Sequence, residues 1–152
     1  MNWHTKVSQN LTAIPDFINY YELELVNARK QVGIYGRVEK NITDLPGVTE
    51  ERFGQLQEIE AVLNYLNIEL RKLRRKFFQK YLEGYNRVLS SRDAEKYVDG
   101  EQEVVDYEIM INEVSLIRNK FLGILKGLES KNFMLGHVVR LRAAGMEDIT
   151  LN

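Results

Sequence analysis

The sequence predicts an all-α protein: a long antiparallel helical hairpin with an extra N-terminal helix and a short C-terminal helix. Three observations carry this prediction. Two apolar series of equal length step by three and four residues, the repeat of a helix face. Only Pro15 and Pro46 occur in 152 residues, so long stretches lack the residue that most readily breaks a helix. No apolar–polar alternation runs long enough for a useful strand. Hydrophobic residues make up 44% of the chain, enough for a core and against wholesale disorder.

Residues 1–15 read as a polar leader without the apolar run of a signal peptide. Helix signals begin near Asp16, after Pro15. Ile18, Tyr21, Leu25, Ala28, Val32 and Tyr35 form a stripe that Gly33 and Gly36 weaken at its end. The stretch 39–49 is turn-rich, and Pro46-Gly47 predicts a break there. Residues 1–48 are thus a leader plus one helix. Thr49 suits an N-cap, with Glu50 and Glu51 in a first turn.

From there Leu56, Ile59, Leu63, Leu66, Leu70, Leu73 and Phe77 form a heptad seam, on a helix expected to reach about Leu89. Residues 90–102 read as a polar connection. The second seam is Tyr107, Met110, Val114, Ile117, Phe121, Ile124 and Leu128. Each spans roughly 30 Å at about 1.5 Å per residue, so the two match as a hairpin. Val62, Phe78, Leu82, Ile109, Leu122 and Leu125 widen the stripes and ask for cover from residues 16–36 or from other subunits. Ser130-Lys131-Asn132 reads as a turn. A short amphipathic helix, 133–144, then ends at Gly145, a natural C-cap residue. Phe133, Leu135, Val138 and Leu141 are apolar, and the helix must dock on its own hairpin or on a neighbour. The hairpin unit is 49–145, and 146–152 form a tail.

The chain has no Cys, which excludes disulfide frameworks, thiolate zinc sites and cysteine nucleophiles. His4 and His137 are the only histidines. Neither has a Glu three residues before it, as a di-metal bundle requires. No phosphate-binding glycine loop occurs. Glu58 with Glu60 and Glu101 with Glu103 are two apart and diverge on a helix. The sequence therefore reads as a non-enzyme without metal or cofactor. No stretch approaches the roughly 20 apolar residues of a membrane span, so it reads as soluble and intracellular. Trp3 is either incidental or a small docking anchor, and His137 a packing residue.

Charge is the informative feature. Lys and Arg number 21 against 22 Asp and Glu, a net charge of −1, so any electrostatic site is local. Arg71, Lys72, Arg74, Arg75, Lys76 and Lys80 put six cations in ten positions without an acid. At about 100° per residue, Lys72, Arg75, Lys76 and Lys80 share a side away from Leu70, Leu73 and Phe77. Tyr81 and Tyr85 follow. Cations that track phosphates beside rings that stack on bases suit single-stranded nucleic acid. The competing reading is a solvated face. Residues 93–108 hold seven acids (Asp93, Glu95, Asp99, Glu101, Glu103, Asp106, Glu108) and only Lys96 as a base. They could neutralise the stripe within or between subunits, in a coiled-coil adaptor or scaffold without nucleic acid.

The C-terminal half resembles the UvsY family of recombination mediators from T-even-like bacteriophages. Ser130-Lys131-Asn132-Phe133, His137, Leu141-Arg142-Ala143 and Gly145 resemble that family's terminal pattern of Ser, basic, Gly, Phe, later His, Met-Arg-Ala and a closing Gly. Lys76 ahead of Tyr81-Leu82-Glu83-Gly84 resembles its basic pair followed by Tyr-Tyr-Ser-Gly. The resemblance covers roughly residues 52–145. Phe78 stands at the second basic position, Asn132 stands for Gly, and residues 1–48 have no counterpart. The resemblance implies a non-enzymatic, ring-like homo-oligomer in the cytoplasm of an infected cell. Such a protein binds single-stranded DNA, weakens the hold of the single-strand-binding protein and helps load the phage recombinase. It would associate largely through the terminal helix.

Overall fold

The computed structural model describes residues 2–84 and 88–145. Among them lie five α-helices and no strand: α1 (Trp3–Gln9), α2 (Ile14–Val32), α3 (Val38–Glu83), α4 (Ser91–Asp99) and α5 (Gln102–Ala143). The long helices α3 and α5 pack antiparallel. Leu45 and Leu128 line one groove near one end, and Arg74 reaches Glu108 towards the other. Along α5, α2 runs parallel, with Glu22 bonded to Lys120 and Gln31 to Lys131. The lower part is therefore a three-helix bundle, and the upper part is a two-helix extension closed by α4.

This thickness explains the burial along the seams. Leu56, Ile59, Leu63 and Leu66 are buried against Val114, Ile117, Phe121, Ile124 and Leu128. Leu70, Leu73, Tyr107 and Met110 are on the same stripes but only half-buried, because α2 does not extend to their level. Of the spare apolar positions, Val62 is buried, Phe78 and Leu125 are half-buried, and Leu82, Ile109 and Leu122 stay exposed. A second, smaller cluster of Phe77, Val98 and Val104 anchors α4 to the tip of the hairpin.

The expected break at Pro46 is not there. Helix α3 runs through it, and Thr49, Glu50 and Glu51 sit inside a helix rather than at its start. An interior proline costs about 3 kcal/mol. Val38 and Leu45, each 6% exposed, together return about that much or more, since burying such a side chain is worth roughly 1.5–3 kcal/mol. The carbonyl of Ile42, which loses its partner to the proline, lies on an exposed residue where water can take its place.

The leader is also ordered. Asn2 caps α1 by accepting from the Thr5 N–H at 2.8 Å, and Val7 is buried. Trp3 packs edge-on to Phe17 at 5.8 Å and against Tyr20 at 5.5 Å. Its backbone N–H donates to Glu58, which also accepts from the Tyr21 hydroxyl at 3.0 Å. Trp3 is a docking anchor that closes the chain's start over α2 and α3.

Three further boundaries differ from expectation. Helix α3 ends at Glu83, where the Gly84 N–H closes on the Lys80 carbonyl at 3.0 Å, six residues short of Leu89. The polar connection contains α4, capped by Ser90, with Ala94 and Val98 buried four apart. Residues 130–132 form no turn: α5 passes through them, so the terminal segment continues α5 instead of forming a separate short helix. Leu128 and Leu135 hold one register on the same core, and Lys131 donates to the Gln31 carbonyl at 2.7 Å. Gly145, at φ +78°, ends the helix as expected. Among the described residues no helix is long and apolar enough to cross a membrane.

Two glycines of α5 offer an internal test. A Cβ on Gly123 meets nothing within 4 Å, whereas one on Gly127 would sit 2.8 Å from Val32 Cγ1. Gly123→Ala should stabilise by up to about 1 kcal/mol, the helix preference of Ala over Gly. Gly127→Ala should gain less or destabilise, because α2 must give way. Urea midpoints at constant slope read both; equal gains would mean that α2 does not press on α5.

Candidate nucleic-acid interface

The basic decapeptide occupies the upper end of α3, beyond the reach of α2. Leu73 and Phe77 face α5 and α4 and fix the rotation of the helix. That rotation sends Arg71, Lys72, Arg75, Lys76 and Lys80 to the exposed side. Arg74 points the other way, towards the acids. Its guanidinium bonds Asp99 at 2.6 Å and lies 3.7 Å from Glu108. Arg74 is therefore a strut between α3, α4 and α5, and only a third of its side chain is exposed.

Lys80 lies 3.9 Å from Glu101 and keeps 62% of its side chain exposed. Its ammonium also sits 5.6 Å from the Phe77 ring centre and 5.4 Å from that of Tyr81. Lys72 meets Glu69 at 3.2 Å with 70% of its side chain exposed. Exposed pairs of this kind are worth at most about 1 kcal/mol, so a polyanion displaces them at little cost. Arg71, Arg75 and Lys76 make no ion pair among the described residues. Arg71–Arg75, Lys72–Lys76 and Lys76–Lys80 are like-charge neighbours four apart, each repelling by a few tenths of a kcal/mol. A bound polyanion relieves that repulsion.

The expected neutralisation by residues 93–108 is thus met in part, inside one chain. Asp99, Glu101 and Glu108 engage Arg74 and Lys80, and the outward stripe remains. The aromatic expectations fare differently. Tyr81 stacks on Tyr97 with ring centres 5.2 Å apart, and its hydroxyl donates to Glu101, so that ring is committed to the fold. Tyr85 lies outside the described residues. Tyr97, on α4, is an exposed ring beside the stripe. The polar composition of residues 90–102 masks it, although Ala94 and Val98 at helical spacing signal the helix that carries it.

The residues expected to mediate association divide. Leu135 is buried in the chain's own core and Val138, partly buried, packs against it. Phe133 is 63% exposed and stacks edge-on with His137 at 4.8 Å, and Leu141 is half-buried. Met134 and Val139, near the end of α5, are also exposed. Leu135 also lines an apolar groove of about 790 Å³ between α3 and α5, with Ile42, Pro46, Phe53 and Leu125.

Comparison with protein-family models, with curated proteins and with solved structures finds no match to this chain.

Proposed function

We propose that this protein is a non-enzymatic, oligomeric single-stranded-DNA-binding recombination mediator that helps load a recombinase onto DNA covered by single-strand-binding protein. The observation that carries the DNA-binding part is the outward stripe of Arg71, Arg75 and Lys76, exposed and without ion pairs among the described residues. Lys72 and Lys80 flank it in weak pairs. The mediator role rests on the resemblance of residues 52–145 to the phage family. Exposed Phe133, Met134 and Val139 support association, and linking several modest patches raises avidity through effective concentration.

The test is filter binding of oligo(dT) at two salt concentrations. Each phosphate neutralised on a single strand contributes about −0.7 to the slope of log K against log salt. Arg75→Ala with Lys76→Ala should weaken binding and flatten the slope by about 1.4 per copy. An unchanged slope removes the stripe as the contact surface.

A second reading is a coiled-coil adaptor without nucleic-acid binding. The ion pairs of Arg74 and Lys80 with Asp99, Glu108 and Glu101 favour it, because they use part of the basic charge to hold α4. Absence of oligo(dT) binding at low salt would select it.

A further inference from the structure

The geometry points to a nucleobase pocket between α3 and α4 that takes a guanine from a bound single strand; this rests on the DNA-binding reading above. A cleft of about 310 Å³ opens beside the basic stripe, lined by Arg74, Arg75, Phe78, Glu95 and Val98. That is at the small end of ligand pockets, with room for one flat heterocycle.

The walls supply what a splayed base needs. Phe78 is half-buried, held by the cluster of Phe77, Val98 and Val104, so its ring is a fixed apolar surface for stacking. Arg74 is turned towards Asp99 and Glu108 and forms one side of the cleft. Arg75 and Glu95 share the cleft, yet neither makes an ion pair among the described residues. A cation and an anion that line one cleft without pairing suit a ligand that presents acceptors to one and donors to the other. Guanine does this with two adjoining edges. O6 and N7 accept from a guanidinium, and N1–H with the N2 amino group offers a carboxylate two parallel donors. Thymine offers a single ring N–H and no amino group. Single-stranded bases are read in this way, stacked on a ring and bonded along their Watson–Crick and Hoogsteen edges.

Arg71 and Arg75 are on the outward stripe, and Arg75 also lines the cleft. A strand whose phosphates follow the stripe therefore passes the mouth of the pocket. Stripe contacts alone are blind to sequence; the pocket adds a preference at one nucleotide per copy.

The experiment is fluorescence anisotropy with a labelled oligo(dT) and the same strand carrying isolated guanines, on the full chain, with helicity checked by circular dichroism. The wild type should bind the guanine-bearing strand about tenfold more tightly, the size of a good bidentate base contact. Glu95→Gln should bring the ratio of the two affinities near one while oligo(dT) binding persists. Phe78→Leu, which keeps the apolar cluster filled, should lower the ratio as well. Equal wild-type affinity for the two strands overturns the pocket and leaves the stripe standing. A ratio unmoved by Glu95→Gln overturns it too, since a purely electrostatic Glu95 changes both affinities alike. No binding of either strand at low salt overturns the pocket and the DNA-binding reading together. Guanosine monophosphate binding as tightly as the guanine-bearing strand overturns the strand as the source of the base.

Discussion

Phe121→Ala should lower the stability of the protein by about 3–5 kcal/mol, the cost of emptying a large aromatic from a closed core. Phe121 is fully buried where α2, α3 and α5 meet, and its ring meets that of Tyr21 edge-on at 5.5 Å. Tyr21 in turn stacks edge-on with Phe17 at 4.9 Å and donates to Glu58. Three helices fix the walls of the void, so the site has little freedom to collapse. Urea unfolding at constant slope reads the loss, and thermal unfolding should fall by roughly 10–15 °C for a chain of this size. Phe77→Ala, in the small cluster at the tip, should cost less, because only α4 and the ends of α3 and α5 close over it. Equal losses would mean that the two clusters form one cooperative core.

Glu24→Gln should destabilise by about 3 kcal/mol. Arg52 is 3% exposed, the one buried charged residue among those described. It donates to Glu24 at 2.6 Å, to Gln31 at 2.8 Å and to Gln55 at 2.8 Å. Gln55 donates to Glu24 at 3.0 Å, so every member of the network is tied to α2 and α3 together. Removing one charge of a buried pair leaves the other uncompensated, which typically costs about 3–5 kcal/mol; the amide oxygens of Gln31 and Gln55 keep this case near the lower bound. The pair also makes a pH prediction. Donation from Gln55, then Arg52, holds the Glu24 carboxyl below its ordinary value of 4.5, against an opposing pull from partial burial. A carboxyl lowered in the folded state stabilises above its unfolded value and loses that contribution as pH falls through the folded one. Wild-type stability should therefore decline as pH drops below about 4.5, and Glu24→Gln should decline less. Parallel pH profiles would show that Glu24 is not a source of acid sensitivity.

The seams were legible because burial against one partner repeats every three and four residues. Leu56 to Leu66 and Val114 to Leu128 needed no tertiary information. The boundaries were not legible in the same way. Pro46 is a local signal, outweighed by burial of Val38 and Leu45 against a distant part of the chain. Residues 130–132 are polar and turn-like, but Leu128 and Leu135 bind the same core on either side of them. Arg52 reads as one more surface cation until α2 brings Glu24 and Gln31 alongside.

The basic stripe divides along the same line. Six cations in ten positions and the acidic run after them are properties of the chain itself, and helical spacing already turns Lys72, Arg75, Lys76 and Lys80 to one side. Which cations stay available depends on where α4 and the start of α5 come to rest. Their acids hold Arg74 closely and Lys80 loosely, and leave Arg75 and Lys76 outward. Composition and periodicity determine the all-α class, the paired long helices and the existence of a local positive patch, because these follow from nearest-neighbour geometry. Helix continuity, the ordered start of the chain, the buried Arg52 network and the division of the patch were decided by the tertiary structure. Each depends on the free energy of contacts between residues far apart in the chain, which no local pattern encodes.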